Sequence, residues 1–154
     1  MAFAQNTTVA PERSRAEIER MLAAHGASSF LYAVNPNGAV IGFEIARRSV
    51  RIELPTPSPD RFRVTPQGRT RSPAAVDEAF AQEIRRRWRS LALVIKAKLT
   101  AVEDGISTIE REFLADVVLA NGRTVGVELR AQLETSRKLG APLCLPSHLE
   151  NNET

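Results

Sequence analysis

One periodicity constrains this chain more than any other feature. Val76, Phe80, Ile84, Trp88, Leu91, Ile95, Leu99 and Val102 follow one another at spacings of 4, 4, 4, 3, 4, 4 and 3. On a helix these positions share one side, so the pattern predicts a single amphipathic rod over 73–103, about eight turns long. Its ends are marked. Ser72 is a good N-cap, Pro73 suits the first turn, and Asp77 and Glu78 sit where the helix dipole favours acids. Gly105 supplies the stop. A rod with one apolar side needs a second layer to cover it, so the rest of the chain must supply that layer.

The residues before the rod read as a helix and a sheet. Ser14-x-x-Glu17 has the form of a capping box, Ile18, Met21, Leu22 and His25 share a face, and Gly26 can end the helix, which predicts a helix over 15–25. Residues 1–12 are polar and aperiodic and read as a disordered N-terminus. Phe30–Val34 and Ala39–Ile45 flank Asn35-Pro36-Asn37-Gly38, the strongest kind of short hairpin signal, with a bulge expected at Gly42. After a turn at Arg47-Arg48-Ser49, residues 50–54 alternate, with Val50, Ile52 and Leu54 inward and Arg51 and Glu53 outward. This is an antiparallel meander.

Residues 55–72 hold four prolines and four arginines (Arg61, Arg63, Arg69, Arg71) and read as a long Pro/Arg-rich arm. Beyond the rod, Ser107-x-x-Glu110 has the form of a second capping box, opening a helix with Ile109, Phe113, Leu114 and Val117 on one face. Asn121-Gly122 turns the chain. Thr124 can then cap a last helix to about Lys138, closed by Gly140; the rival is a hairpin of Val117–Ala120 with Thr124–Val127. The helix-forming composition of 128–138 favours the helix. Residues 141–154 read as an extended tail. The expected architecture is therefore one α+β domain over 13–140: N-terminal helix, three-stranded meander, long helix, short C-terminal helices. Leu31, Val40, Ile52, Phe80, Ile84, Trp88, Leu91, Ile95, Phe113 and Leu114 are its expected core.

Composition bounds the setting. The chain has 154 residues, 43% hydrophobic and 25% charged, which suits one globular domain. No apolar run approaches the ~20 residues of a membrane span, and the first dozen residues carry no signal-peptide pattern. With a single cysteine, Cys144, no internal disulfide can form. A cytoplasmic protein without membrane contact is expected.

Most catalytic chemistry finds no foothold. There is no Walker loop, dinucleotide fingerprint or Gly-x-Ser-x-Gly elbow. His25, His148 and Cys144 lie far apart, without metal-ligand spacing. Glu44 and Glu53 lie on neighbouring strands, as in a metal-dependent nuclease, but neither is followed by the Lys that such sites add. A non-enzymatic protein without cofactor or metal is expected.

Charge is the more informative signal. Net charge is +3, yet residues 1–46 carry −1, residues 47–90 carry eleven Arg against five acids for +6, and residues 91–154 carry −2. The basic residues are 18 Arg and 3 Lys, and Arg forks suit phosphate. Arg85-Arg86-Arg87-Trp88-Arg89 is the densest run. Trp88 belongs to the apolar stripe, with Arg85 and Arg89 on one flank and Arg86 and Arg87 further outward. Joined to Arg61, Arg63, Arg69 and Arg71, this run would make a basic groove for a nucleic-acid backbone. Five phosphate contacts would give a log–log salt slope of roughly −3.5 to −4.5. Phe62 is expected to pin the arm to the domain. The rival reading is a protein-interaction module using the arm or the tail.

Arg87-Trp88-Arg89-Ser90-Leu91-Ala92-Leu93-Val94-Ile95-Lys96-Ala97-Lys98-Leu99, Ile109–Leu114 and Asn121-Gly122-Arg123-Thr124-Val125-Gly126 together carry a resemblance. From about Ser14 to Pro146 the chain resembles small uncharacterised proteins of bacteriophages and prophages. The family brings no established activity and no functional residue. It implies a phage or prophage setting in a bacterial host cell, where many small proteins serve DNA replication, recombination or interference with host defence; the rival interaction module would be a phage inhibitor or adaptor acting on a host enzyme.

Overall fold

The structure, a computed structural model, describes residues 10–35 and 37–140. Helix α1 spans Pro11–Ala24, strands β1, β2 and β3 span Ser28–Asn35, Gly38–Ile45 and Arg48–Pro55, and helix α2 spans Pro73–Glu103. Helix α3 (Ile109–Phe113), a 3₁₀ turn (Leu114–Asp116) and helix α4 (Val125–Leu139) follow. The α+β architecture expected from the pattern is the one observed. The expected tail over 141–154, with Cys144 and His148, lies outside the described residues, as does most of the expected disordered N-terminus.

Helix α2 starts and stops as its sequence dictates. The Ser72 hydroxyl accepts from the Ala75 amide, and Pro73 occupies the first turn. At the other end, Ile106 donates to Ala101 and Gly105 to Val102, with Gly105 left-handed at φ 70°. That pair of reversed bonds is a Schellman motif. The same pair closes α1, from Ala27 to Leu22 and from Gly26 to Ala23. The start of α1 differs from expectation. Pro11 opens it, so Pro11 and Glu12 are helical, and Ser14 lies inside the helix rather than capping it. Proline in the first turn presets φ and leaves no amide to satisfy. Ser14 is instead wholly buried, its hydroxyl without a partner.

The sheet runs β1-β2-β3, antiparallel throughout. Its second turn is Ala46-Arg47, both left-handed at φ 48° and 62°, one residue earlier than expected. The cross-strand rows Tyr32–Ile41–Ile52 and Phe43–Val50 face the helices; Leu31–Gly42–Arg51 and Ala33–Val40–Glu53 form the outer face. Two expected core residues are thus on the wrong side: Leu31 is 61% exposed and Val40 is half-buried on the outer face. The cause is the register set by the first hairpin. Pairing runs unbroken from Asn35–Gly38 to Leu31–Gly42, so Leu31 and Val40 share the face of Gly42, opposite that of Ile41 and Phe43. The irregularity lies between Ser28 and Leu31, where Ser29 takes φ 56°, and not at Gly42, and it shifts only the residues before Leu31.

The core joins Ile18 and Leu22 of α1, Ala39, Ile41, Phe43 and Ile45 of β2, Val50 of β3, and Trp88, Ala92, Ile95 and Leu99 of α2. Phe113 closes one end, its ring edge-on to Phe43 with centroids 5.7 Å apart. Phe80, Ile84 and Leu91 are only half-buried. Helix α3 is short, and Thr108 rather than Ser107 caps it, accepting from the Arg111 amide. Leu114 is 51% exposed, because the chain tightens to 3₁₀ there and turns it outward. Over 117–127 each reading holds in part. Val118 bridges Thr124 across the Asn121-Gly122 turn, as a hairpin would, and Val125 then begins α4, with Thr124 in the N-cap position. Gly140 ends α4 in a left-handed cap.

Candidate nucleic-acid interface

The 55–72 segment is built, not trailing. Ser58 accepts from the Asp60 amide and opens a 3₁₀ turn over Pro59–Phe62. The Phe62 ring stands edge-on to Phe80 of α2, centroids 6.1 Å apart, and pins the segment as expected. Beyond it, Thr65 donates to Arg69 and Arg71 to Arg63 through their backbones, closing a small hairpin. The Arg71 guanidinium donates to the Phe62 carbonyl at 2.9 Å and to the Val64 carbonyl at 3.3 Å. Arg71 therefore ties the segment together.

Between this segment and α2 lies an open cleft of about 320 Å³, lined by Pro57, Arg61, Phe62, Glu83, Arg86 and Arg87. Glu83, Arg86 and Arg87 come together because helical residues three and four apart are neighbours. Arg86 grips Glu83 with two bonds of 2.7 and 2.6 Å, and Arg87 adds a third of 2.7 Å while also donating to the Pro55 carbonyl. These hydrogen bonds, Arg86's foremost, outweigh the opposing effect of burial and hold the Glu83 carboxyl down at about 2. The same contact raises the Arg86 guanidinium. Arg61 makes no side-chain bond among the described residues, nor does Arg69. Three arginines and one carboxylate thus line the cleft, and each Arg has five N–H donors, most of them unused at Arg86 and Arg87.

The eight arginines do not form the single groove expected of them. Arg61, Arg86 and Arg87 share the cleft just described. Arg63 and Arg71 line a neighbouring cleft of about 460 Å³ in the company of Asp60 and Asp77, where charge cancels, and Arg63 pairs with Asp60 at 2.7 Å. Arg85 is held by Glu78 at 2.7 Å and by Gln82. Arg89 reaches Glu17 of α1 at 2.6 Å and fastens the two helices. Individual partners account for this dispersal: nearby acids for Arg63 and Arg85, backbone carbonyls for Arg71, and an acid on another helix for Arg89. A sum of charges counts the acids, but it does not say which arginine each one takes.

Glu83 is the residue that sequence reasoning missed, although Glu83-x-x-Arg86-Arg87 is a readable helical pair. The carboxylates weighed as a metal site are not assembled. Glu44 lies opposite Ser49 and Glu53 opposite Val40, four positions apart along the sheet, and Glu53 leans on Arg51 at 3.6 Å. Among the described residues no three of His, Cys, Asp and Glu gather to hold a metal, and no helix is long and apolar enough to cross a membrane. Tyr32, pushed up to about 12 by burial and by Glu19, and Asp116, raised by burial against the pull of Lys98, both lie outside the cleft. No protein-family model, curated protein or solved structure matches the chain.

Proposed function

We propose that this is a non-enzymatic accessory protein, of the kind carried by bacteriophages and prophages, that binds nucleic-acid backbone at the cleft of Arg61, Arg86 and Arg87. One observation carries the reading: an unpartnered Arg61 opens onto a cleft where arginine outnumbers carboxylate three to one. Such a site meets phosphate oxygens and reads no base edge, so it gives affinity without sequence preference. Arg69, unpartnered on the same segment, is the next candidate. Three or four contacts give a log–log salt slope of roughly −2 to −3.6, shallower than five would.

Fluorescence anisotropy with labelled single- and double-stranded DNA across salt concentrations tests this. Arg61→Ala is expected to flatten the slope by ~0.7–0.9 with the fold intact. No saturable binding at ~50 mM salt, where screening is weakest, or a slope unmoved by Arg61→Ala, refutes it.

A second reading, a protein-interaction module such as an inhibitor or adaptor of a host enzyme, draws on α4. None of its described side chains is fully buried, and Val127 and Leu133 are 43% and 51% exposed. It predicts weak, non-saturating DNA binding.

A further inference from the structure

We propose that two copies of this chain join through β1, edge to edge and antiparallel, into one six-stranded sheet. The argument starts from the β2–β3 turn. A two-residue turn at Ala46-Arg47 makes Ile45 and Arg48 a hydrogen-bonded pair, and alternation then points the backbone groups of Phe43, Ile41 and Ala39 toward β3. Val40 and Gly42 therefore address β1, at Ala33 and Leu31. Tyr32 and Val34 are left with N–H and C=O pointing out of the sheet. Residues 28–35 make no described backbone bond beyond the β1–β2 ladder. The other edge is covered: Val117 bridges Val50, and the Val118 amide donates to Ser49.

Proteins that keep an edge free guard it with charge, proline or a bulge. β1 has no charge or proline, and its one irregularity, between Ser28 and Leu31, leaves 31–35 in regular register; β2 carries Glu44 and β3 carries Arg48, Arg51 and Glu53. In a chain of net charge +3, this is the strand that can meet its own image without like-charge contact.

Its register is also self-complementary. Place the two-fold axis at Ala33, and the outward groups of Tyr32 bond those of Val34 in the partner copy, and the reverse. Ala33 then faces its own image in the close, non-hydrogen-bonded position, where a small side chain fits. Val34 lies on the helix side of the sheet yet is 77% exposed. The pairing sets the partner copy's Tyr32 directly across from it, an aromatic against a β-branched side chain.

Sedimentation of the full chain at ~100 μM is expected to give twice the 16.9 kDa chain mass. Val34→Pro removes the outward N–H without touching the β2 ladder, and Val34→Lys adds the missing edge charge; each acts twice per dimer and is expected to weaken it about tenfold or more. In a Cys144→Ser background, Ala33→Cys is expected to form an intermolecular disulfide, because a non-hydrogen-bonded pair brings Cα atoms to ~4.5 Å. Leu31→Cys, displaced from the axis, is expected not to. A monomeric wild type, a dimer untouched by both Val34 variants, or equal cross-linking at 31 and 33 overturns the proposal.

Discussion

Glu83→Gln separates the structural from the binding role of the cleft, because it moves stability and affinity in opposite directions. The carboxylate holds Arg86 at 2.7 and 2.6 Å and Arg87 at 2.7 Å. A carboxyl lowered from 4.5 to about 2 corresponds to about 3 kcal/mol if no solvent screens it. Both arginine side chains are 27% exposed, and water reduces this to about 1–2 kcal/mol. The group's folded value lies below its unfolded one. Its contribution is therefore complete above the unfolded value near 4.5, shrinks as pH falls, and is gone below about 2. Urea titrations at a series of pH values are expected to show the variant about 1–2 kcal/mol less stable at pH 7, with the gap closing between pH 4.5 and 2. The same substitution leaves three arginines unopposed in the cleft. DNA affinity should rise, and the salt slope should steepen by ~0.7–0.9 if one freed fork takes a phosphate. A folded Glu83→Gln that binds DNA no better than wild type refutes phosphate contact by Arg86 and Arg87. A stability gap that ignores pH refutes the ion pair.

Three further expectations concern the fold. Trp88→Ala deletes an indole that is 5% exposed beneath the Arg15 guanidinium, at a cost of about 3–5 kcal/mol read by urea unfolding. Ala46→Asn with Arg47→Gly gives a turn that already demands left-handed φ at both positions the residues suited to it; it is expected to add about 1 kcal/mol and raise Tm by about 3 °C. Arg71→Ala removes both bonds to the Phe62 and Val64 carbonyls, so limited proteolysis should cut within 57–71 sooner while overall Tm changes little.

What could be read in the sequence was what local chemistry decides. The α2 stripe, the Ser72-Pro73 start and the glycine stops at 26, 105 and 140 each depend on residues within one turn, and each stands in the structure. The strand order followed from two short turns. Strand parity did not. Phe30–Val34 is apolar at every position, so alternation names no inner face, and the pairing of Tyr32 with Ile41 and of Leu31 with Gly42 puts Tyr32 in and Leu31 out. The capping boxes misled for a related reason. Ser14 and Ser107 have the right spacing, but Pro11 starts its helix earlier, and Thr108 starts its helix later. In the basic block, the Glu83 contacts lie three and four residues along one helix and were legible. Arg89 finds Glu17 across 72 positions of chain, a partner that only the packing of α1 on α2 supplies.

Paired arginine is not spent arginine, and the magnitudes set an order among five of the eight. A partly exposed ion pair contributes about 0–1 kcal/mol, so a polyanion that brings several phosphates can compete for Arg86 and Arg87 against the single Glu83. Arg89 and Arg71 are different. Releasing Arg89 undoes a bond between α1 and α2, and releasing Arg71 undoes two bonds that close the 55–72 segment, so a phosphate there must offset part of the fold's own stability. Arg61 has no bond to give up. Alanine substitution should therefore flatten the salt slope most at Arg61, next at Arg86 and Arg87, and least at Arg71 and Arg89, where any loss of affinity should track a loss of stability instead. Combining Arg61→Ala with Glu83→Gln exchanges one lost contact for one freed fork, and the double variant should return near the wild-type slope. Near-equal slopes across all five alanine variants would mean that net charge alone governs binding and that the cleft has no special place in it.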